Sequence, residues 1–263
     1  LYLHGVRWNL TGQLFRIEQL HALGYSVLAI DYRNHGKSGD TKQTKSGKKV
    51  ILWGTAEYRD PLAAAEWLNK TKGFSYDRIG ILGASMGAAT ALVAGAKEPR
   101  IKGVWADSPV CDAKEVLLHG TKKFGGGIAA GVAGPITDWA IGVAESWMDP
   151  AVKEDWINNA PFKMVKTYQT DQSIQLVSAA GDNTVPAYIV DRCATDARTS
   201  GATVDYWAWD DVKDHNTQTA NKEFKTNEFD THVQAMLYET DEYGKRLVGF
   251  FNRTLSGVVA KCR

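Results

Sequence analysis

A short glycine-rich segment, residues 83–87 (G-A-S-M-G), contains the serine best suited to chemistry. An apolar stretch predicted as a strand precedes it, and small residues predicted as a helix follow it. The two glycines permit a sharp strand-to-helix turn, because side chains there would clash with neighbouring backbone. Such a turn exposes the hydroxyl of Ser85 at a helix N-terminus. The pattern and its context therefore indicate a nucleophilic serine rather than an ordinary glycine-rich turn.

A serine hydroxyl is a weak nucleophile until a base removes its proton. A histidine and a carboxylate that orients it are therefore expected elsewhere in the chain. The sequence contains six histidines, at positions 4, 21, 35, 119, 215 and 232.

Segments with strand-like and helix-like patterns alternate along the chain. Strands are predicted at residues 1–3, 26–30, 78–82, 101–106, 173–179 and 202–209. Helices are predicted at residues 11–23, 55–72, 88–96, 186–200 and 239–255. This alternation predicts an α/β fold, with a mostly parallel sheet flanked by helices.

Three further segments resemble motifs of the α/β-hydrolase family, and the resemblance covers nearly the whole chain. Residues 1–5 (L-Y-L-H-G) resemble the strand that ends in His-Gly before the oxyanion loop. Residues 31–39 (D-Y-R-N-H-G-K-S-G) resemble the family's D-x-R-x-x-G-x-S turn. Residues 178–186 (S-A-A-G-D-N-T-V-P) resemble the strand and turn that carry the acid. The resemblance implies the α/β-hydrolase fold and the family order of nucleophile, acid and histidine.

The resemblance also implies the partners of Ser85. Asp182 is the expected acid, with capping of the next helix as its alternative role, and Asp107 is the second candidate. His232 is the preferred base, because an acidic, tyrosine-containing helix start follows it as in the family. His215, just beyond the last predicted strand, is the alternative base. His4 and His35 lie in family motifs and are expected to be structural.

The oxyanion of a tetrahedral intermediate needs two hydrogen-bond donors. The resemblance implies the backbone N–H groups of Val6 and Met86. Arg7 and Trp8 follow Val6 and are candidates for lining the substrate pocket, although a surface arginine and a packed tryptophan fit the sequence equally well.

The segment 112–159 interrupts the strand–helix alternation with glycines and fragments rich in alanine and tryptophan. We interpret it as an inserted helical cap over the carboxyl edge of the sheet, between core segments 1–111 and 160–263. Trp139 within it is a candidate for an apolar acyl site or for the core of the cap. The family has two further strands before its His-Gly strand, and the sequence predicts a sheet without them.

Length and composition set limits on function. The 263 residues are 44% hydrophobic and 23% charged, which is typical of one large folded domain. The net charge of +1 argues against a nucleic-acid binder. No stretch of 18 consecutive apolar residues and no signal segment is present, so the cytoplasm is the preferred compartment, although the sequence leaves it open.

The three cysteines, at positions 111, 193 and 262, are too few and too scattered for a disulfide framework. Cys193 and Cys262 have the option of pairing, but free buried thiols are expected.

Together these features predict a serine hydrolase that cleaves carboxylic esters through an acyl-enzyme intermediate. The alternatives are a thioesterase or a peptidase with the same residues, and a binding protein that keeps the fold without catalysis. No metal or organic cofactor is expected. The expected partner is a small ester, with a lipid surface as a further option through the cap, and the oligomeric state is left open.

Overall fold

The computed structural model describes residues 1–124, 126–209 and 231–257. Its centre is a parallel sheet of six strands in the order β2-β1-β3-β4-β5-β6. The strands are β1 (Tyr2–Leu3), β2 (Ala29–Ile30), β3 (Ile81–Ala84), β4 (Gly103–Asp107), β5 (Ser173–Ala179) and β6 (Thr203–Trp209).

Helices connect the strands and cover both faces of the sheet. They are α1 (Leu14–Ala22), α2 (Arg59–Lys72), α3 (Met86–Lys97), α4 (Ala113–Phe124), α5 (Gly126–Trp147), α6 (Pro150–Asn158), α7 (Pro161–Met164), α8 (Ala187–Arg198), α9 (Ala235–Tyr238) and α10 (Thr240–Thr254). Short 3-10 helices occupy Leu10–Gln13, Tyr76–Arg78 and Val165–Thr167. The predicted α/β architecture, a parallel sheet flanked by helices, is confirmed.

The two faces of the sheet belong to two separate hydrophobic cores. Along β3, Ile81 packs into one core and Leu82 into the other, and Val104 and Trp105 alternate in the same way along β4. This alternation follows from the two-residue period of a strand. Both faces are covered, so the central strands are continuous apolar runs.

Helix α1 forms where the sequence predicts a helix. Leu20 lies in a hydrophobic core, and Ile17 and Leu23 pack against the same core. In the structure Leu14 is exposed, whereas Arg16 and Leu20 are buried. Residues four apart share one face of a helix, so Arg16 and Leu20 turn to the interior together.

Cys111 and Cys193 form a disulfide bond, which corrects the expectation of free thiols. Cys111 follows the end of β4 and Cys193 lies on α8, so 82 positions of sequence separate them. The fold brings their Cα atoms to 6.2 Å, within the range that a disulfide spans. Cys262, the partner considered from the sequence, lies outside the described residues.

Three of the helices described between β4 and β5, namely α4, α5 and α6, lie inside the segment predicted as a cap. The end of this insertion is tied to the loop between β2 and α2 and to the first residue of α2. Thr44 pairs with Met148 in an isolated bridge, Arg59 forms an ion pair with Asp155, and Asn159 donates to the carbonyl of Thr55. The role of the insertion as a cap over the site stays a prediction.

Within the parts of the chain that the structure describes, no helix combines the length and the apolar character needed to cross a bilayer.

Candidate active site

Ser85 lies at the sharp turn between β3 and α3. Its φ of 56° and ψ of −119° are a conformation that L residues rarely adopt. A Cβ at Gly83 would lie 2.1 Å from the Gly87 carbonyl oxygen, and one at Gly87 would lie 2.2 Å from the Leu3 carbonyl oxygen. Only glycine fits at these two positions, so the G-x-S-x-G pattern is a packing requirement of this turn.

Backbone hydrogen bonds hold the Ser85 turn in place. The N–H of Ser85 donates to the carbonyl of Asp107 at the end of β4, over 2.8 Å. The carbonyl of Ser85 accepts from Ala88 and Ala89 in the first turn of α3. The sequence predicts an exposed hydroxyl, but Ser85 is only 7% exposed, because the surrounding loops shield it from bulk water.

His232 contacts both Ser85 and Asp182. Its Nε2 lies 2.8 Å from Ser85 Oγ, and its Nδ1 lies 2.8 Å from Asp182 Oδ2. A carboxylate only accepts hydrogen bonds, so Nδ1 carries the proton and Nε2 is free to accept the serine proton. The three side chains form one continuous hydrogen-bonded chain.

Asp182 is held by the turn between β5 and α8. Its Oδ1 accepts hydrogen bonds from the N–H groups of Thr184, at 3.0 Å, and Val185, at 2.7 Å. Its side chain is fully buried, while that of His232 is 15% exposed. The carboxylate that faces His232 is therefore fixed by backbone donors on its other oxygen, as well as by His232 itself.

The loop after β1 runs beside the serine. A Cβ on Gly5 would lie 3.5 Å from Ser85 Cβ and 3.9 Å from Ser85 Oγ. Val6 follows this glycine, and Met86 is the first residue of α3. The first amides of a helix have no partner within the helix, and the Met86 N–H is one of these. The roles of Val6 and Met86 as oxyanion donors stay predictions.

Residues 13–235 of this chain match the family model of the prolyl oligopeptidase family (peptidase S9). The chain belongs to the prolyl oligopeptidase family. Its fold is that of the α/β-hydrolases.

Individual relatives of this prolyl oligopeptidase family member are distant. YtaP of Bacillus subtilis (strain 168) is 34% identical over 90 residues, which are 32% of this chain and 30% of YtaP. The match therefore spans less than a third of that relative. The esterase Pf2001 of Pyrococcus furiosus has a TM-score of 0.67 at 21% identity, over 97% of this chain and 82% of that structure.

A peptidase shares the fold as well. The acylaminoacyl peptidase of Pyrococcus horikoshii has a TM-score of 0.52 at 14% identity, over 81% of this chain and 30% of that structure. At such identities the two structural likenesses establish the fold alone.

The remaining candidates for substrate contact lie at the surface. Arg7 and Trp8 are exposed on the loop next to Val6, and Arg7 has a positive φ of 61°. Trp139 on α5 has 71% of its surface exposed. Their contacts with substrate stay predictions.

The structure describes the alternative acid, Asp107, but not the alternative base, His215. Asp107 is buried, and its Oδ2 accepts from the Tyr243 hydroxyl at 3.2 Å and lies 3.5 Å from Arg16 Nη1. Burial raises the pKa of this carboxyl, and the neighbouring guanidinium of Arg16 opposes that rise. His215 lies outside the described residues.

His4 is fully buried under the loop after β1. Its Nδ1–H donates to the Gly5 carbonyl at 2.7 Å, and its own carbonyl accepts from the Tyr32 hydroxyl at 3.2 Å. Burial lowers the pKa of the His4 imidazole below its usual value. His4 therefore shapes the backbone of the loop that carries Val6.

The sequence motifs assign no contact at the site to Arg16 or to Tyr243, the tyrosine of the helix start that follows His232. Both are buried and both contact the Asp107 carboxylate. The only indication in the sequence is the four-residue spacing of Arg16 and Leu20, which places the arginine on the buried face of α1.

Proposed function

We propose that this protein hydrolyses carboxylic esters through an acyl-enzyme, with Ser85 as nucleophile, His232 as base and Asp182 as the orienting acid. The observation that carries the proposal is the unbroken hydrogen-bonded chain from Ser85 Oγ through both ring nitrogens of His232 to Asp182 Oδ2. The alternative roles of the single residues, such as helix capping by Asp182, do not require this chain.

In the first half-reaction, His232 Nε2 takes the proton of Ser85 Oγ as that oxygen bonds to the acyl carbon. The acyl oxygen becomes an oxyanion and accepts from the backbone N–H groups of Val6 and Met86. The bond to the leaving oxygen then breaks, and the proton on Nε2 passes to that oxygen. An alcohol departs and Ser85 keeps the acyl group.

In the second half-reaction, water replaces the alcohol. Nε2 of His232 removes a proton from the water as its oxygen attacks the acyl carbon. The second tetrahedral intermediate collapses with breakage of the bond to Ser85 Oγ, and the proton on Nε2 returns to this oxygen. Asp182 stabilises the imidazolium form of His232 in both half-reactions.

The preference for esters is supported by the likeness to the esterase Pf2001, which covers 82% of that structure. Family membership favours a second candidate, hydrolysis of peptide or aminoacyl amides by the same residues. The two differ in the leaving group, since an amine must be protonated as it leaves and an activated alcohol need not be. Direct comparison of substrates therefore separates them.

The test of the nucleophile is intact-mass labelling with a fluorophosphonate, followed by peptide mapping. Such a reagent reacts with a serine whose base and oxyanion donors are assembled. One adduct on Ser85 is expected in the wild type, and none in Ser85→Ala or His232→Ala. Ser146→Ala and His21→Ala are matched controls, since both residues are exposed and distant in sequence from the site. A wild-type protein without an adduct would contradict the proposal.

The test of the substrate class is a panel of p-nitrophenyl acetate and butyrate, an acyl-CoA thioester and aminoacyl-naphthylamides. We expect the highest kcat/KM with the short esters and loss of all turnover in Ser85→Ala. A higher kcat/KM with the naphthylamides would assign the protein to the peptidases. Turnover that survives in Ser85→Ala would reject the role of this serine.

A further inference from the structure

We infer that Arg16 is a positioning residue that holds the backbone beside His232, through a buried bridge from the Val233 carbonyl to the Asp107 carboxylate. This inference rests on the proposed role of His232 as the base. It assigns a role in catalysis to an arginine whose described contacts do not include the side chains of Ser85, His232 and Asp182.

The guanidinium of Arg16 joins three elements in the interior. Nη2 donates to the carbonyl oxygen of Val233, Nη1 lies 3.6 Å from Met236 Sδ, and Nη1 lies 3.5 Å from Asp107 Oδ2. The side chains of Arg16 and Asp107 are each 1% exposed. A planar guanidinium fixes its partners in direction as well as in distance, which a lysine ammonium does less well.

Val233 directly follows His232 in the sequence. Its φ of 54° is unusual, because a β-branched side chain strongly disfavours the left-handed region. Such a conformation persists only where the surroundings impose it. The Arg16 guanidinium, which binds the carbonyl of this residue, is one such restraint. Its loss should let the backbone relax and carry the imidazole away from Ser85.

Asp107 connects the same bridge to the nucleophile. Its backbone carbonyl accepts the N–H of Ser85, and its carboxylate meets Arg16 and the Tyr243 hydroxyl. The pair of Arg16 and Asp107 therefore links the backbone at Ser85 to the backbone at Val233. Through this link, the pair holds Ser85 and His232 at a fixed separation.

Burial without compensation would favour a neutral Asp107. Burial raises the pKa of its carboxyl, and among the groups that lower it Arg16 has the largest effect. Arg16 thus counteracts the effect of burial on the acceptor of the Tyr243 hydroxyl, while its other nitrogen binds the Val233 carbonyl. Removal of Arg16 alone has two consequences: the buried Asp107 carboxyl loses its ion pair, and the Val233 carbonyl loses its hydrogen bond. The test must separate these two effects.

The test compares Arg16→Met, the double variant Arg16→Met/Asp107→Asn, and Arg16→Lys, with p-nitrophenyl butyrate as substrate. Arg16→Met should lose both thermal stability and turnover. The double variant removes both buried charges, so its Tm should recover towards the wild type. Its kcat should stay on the order of 10²-fold low, because a misplaced base is costly even in a folded protein. KM should change less than threefold, because the buried side chain of Arg16 is not expected to contact substrate.

Arg16→Lys restores one donor and should recover part of kcat, roughly tenfold above the double variant. The rate of fluorophosphonate labelling of Ser85 should follow kcat across the series, because both depend on the Ser85–His232 contact. Arg246→Met is the matched control. This exposed arginine on α10 pairs with Glu242, and its loss should leave kcat unchanged.

A double variant that regains both Tm and kcat would overturn the inference, because the pair would then serve stability alone. A double variant that fails to fold would also overturn it and assign Arg16 to folding. Failure of the proposed function has a different signature, namely no labelling and no turnover in the wild type. An active wild type with an active, folded double variant rejects only the positioning role.

Discussion

Replacement of Gly87 by alanine should separate Ser85 from His232 while most of the fold persists. The new Cβ would lie 2.2 Å from the Leu3 carbonyl oxygen and 2.6 Å from that of His4. Both are backbone atoms, so neither can rotate away. Real Cβ atoms essentially never approach other atoms closer than 3.0 Å, so α3 and β1 must move apart by about 0.8 Å.

This displacement is large on the scale of the site. Ser85 Oγ lies 2.8 Å from His232 Nε2, and a shift of the same size along that line would extend the distance to about 3.6 Å, beyond hydrogen-bonding range. We expect kcat/KM to fall by about 10²-fold. The first ten residues of α3 are buried, so overpacking should cost about 1–3 kcal/mol and lower Tm by roughly 3–10 °C.

The assays are thermal unfolding, kcat/KM with p-nitrophenyl butyrate and the rate of fluorophosphonate labelling. Gly142→Ala is the matched control, because Gly142 lies exposed on α5 and no atom is within 4 Å of its added Cβ. This control should gain up to about 1 kcal/mol of stability and keep its activity. A Gly87→Ala protein with the Tm and labelling rate of the wild type would refute the packing argument.

Three further predictions concern the acid, the disulfide and a buried histidine. Asp182→Asn should lower kcat by about 10³–10⁴-fold with little change in KM, because the amide favours the wrong tautomer of His232; steady-state kinetics with less than a tenfold loss would contradict this. The double variant Cys111→Ala/Cys193→Ala should lose about 2–4 kcal/mol of stability in urea unfolding, and dithiothreitol should destabilise only the wild type; equal sensitivity of both proteins would argue against the bond. Burial lowers the pKa of His4, so below about pH 6.5 the unfolded chain binds a proton that folded His4 does not, and stability falls as the pH is lowered. His4→Gln should therefore flatten the acid side of the Tm–pH curve, and an unchanged slope would rule out this contribution.

Much of the local structure could be predicted from the sequence, because short-range rules govern it. The strand, sharp turn and helix around Ser85 follow from two glycines and the apolar run before them, and Gly83 and Gly87 prove to have no room for a side chain. Alternating strand and helix patterns predict the parallel sheet, since parallel strands need crossover connections. The boundaries differ by a few residues, as in β2, because strand ends depend on neighbours rather than on propensity.

Contacts between distant segments required the tertiary structure. His232 and Asp182 are 50 positions apart, and their hydrogen bond depends on how two loops meet at one edge of the sheet. No periodicity pairs Cys111 with Cys193, and a buried arginine on α1 contradicts the usual preference of charged side chains for solvent.

The sequence by itself determined the elements and the identity of the serine, because these depend on residues within about ten positions of each other. The family resemblance favoured His232 and Asp182, but only the tertiary structure showed that His232 contacts both Ser85 and Asp182 and that Cys111 pairs with Cys193. It also decided that the charge of Arg16 is compensated inside the protein. The physical reason is that these contacts lie across gaps of tens to hundreds of residues, and only the packing of helices on both faces of the sheet sets their distances.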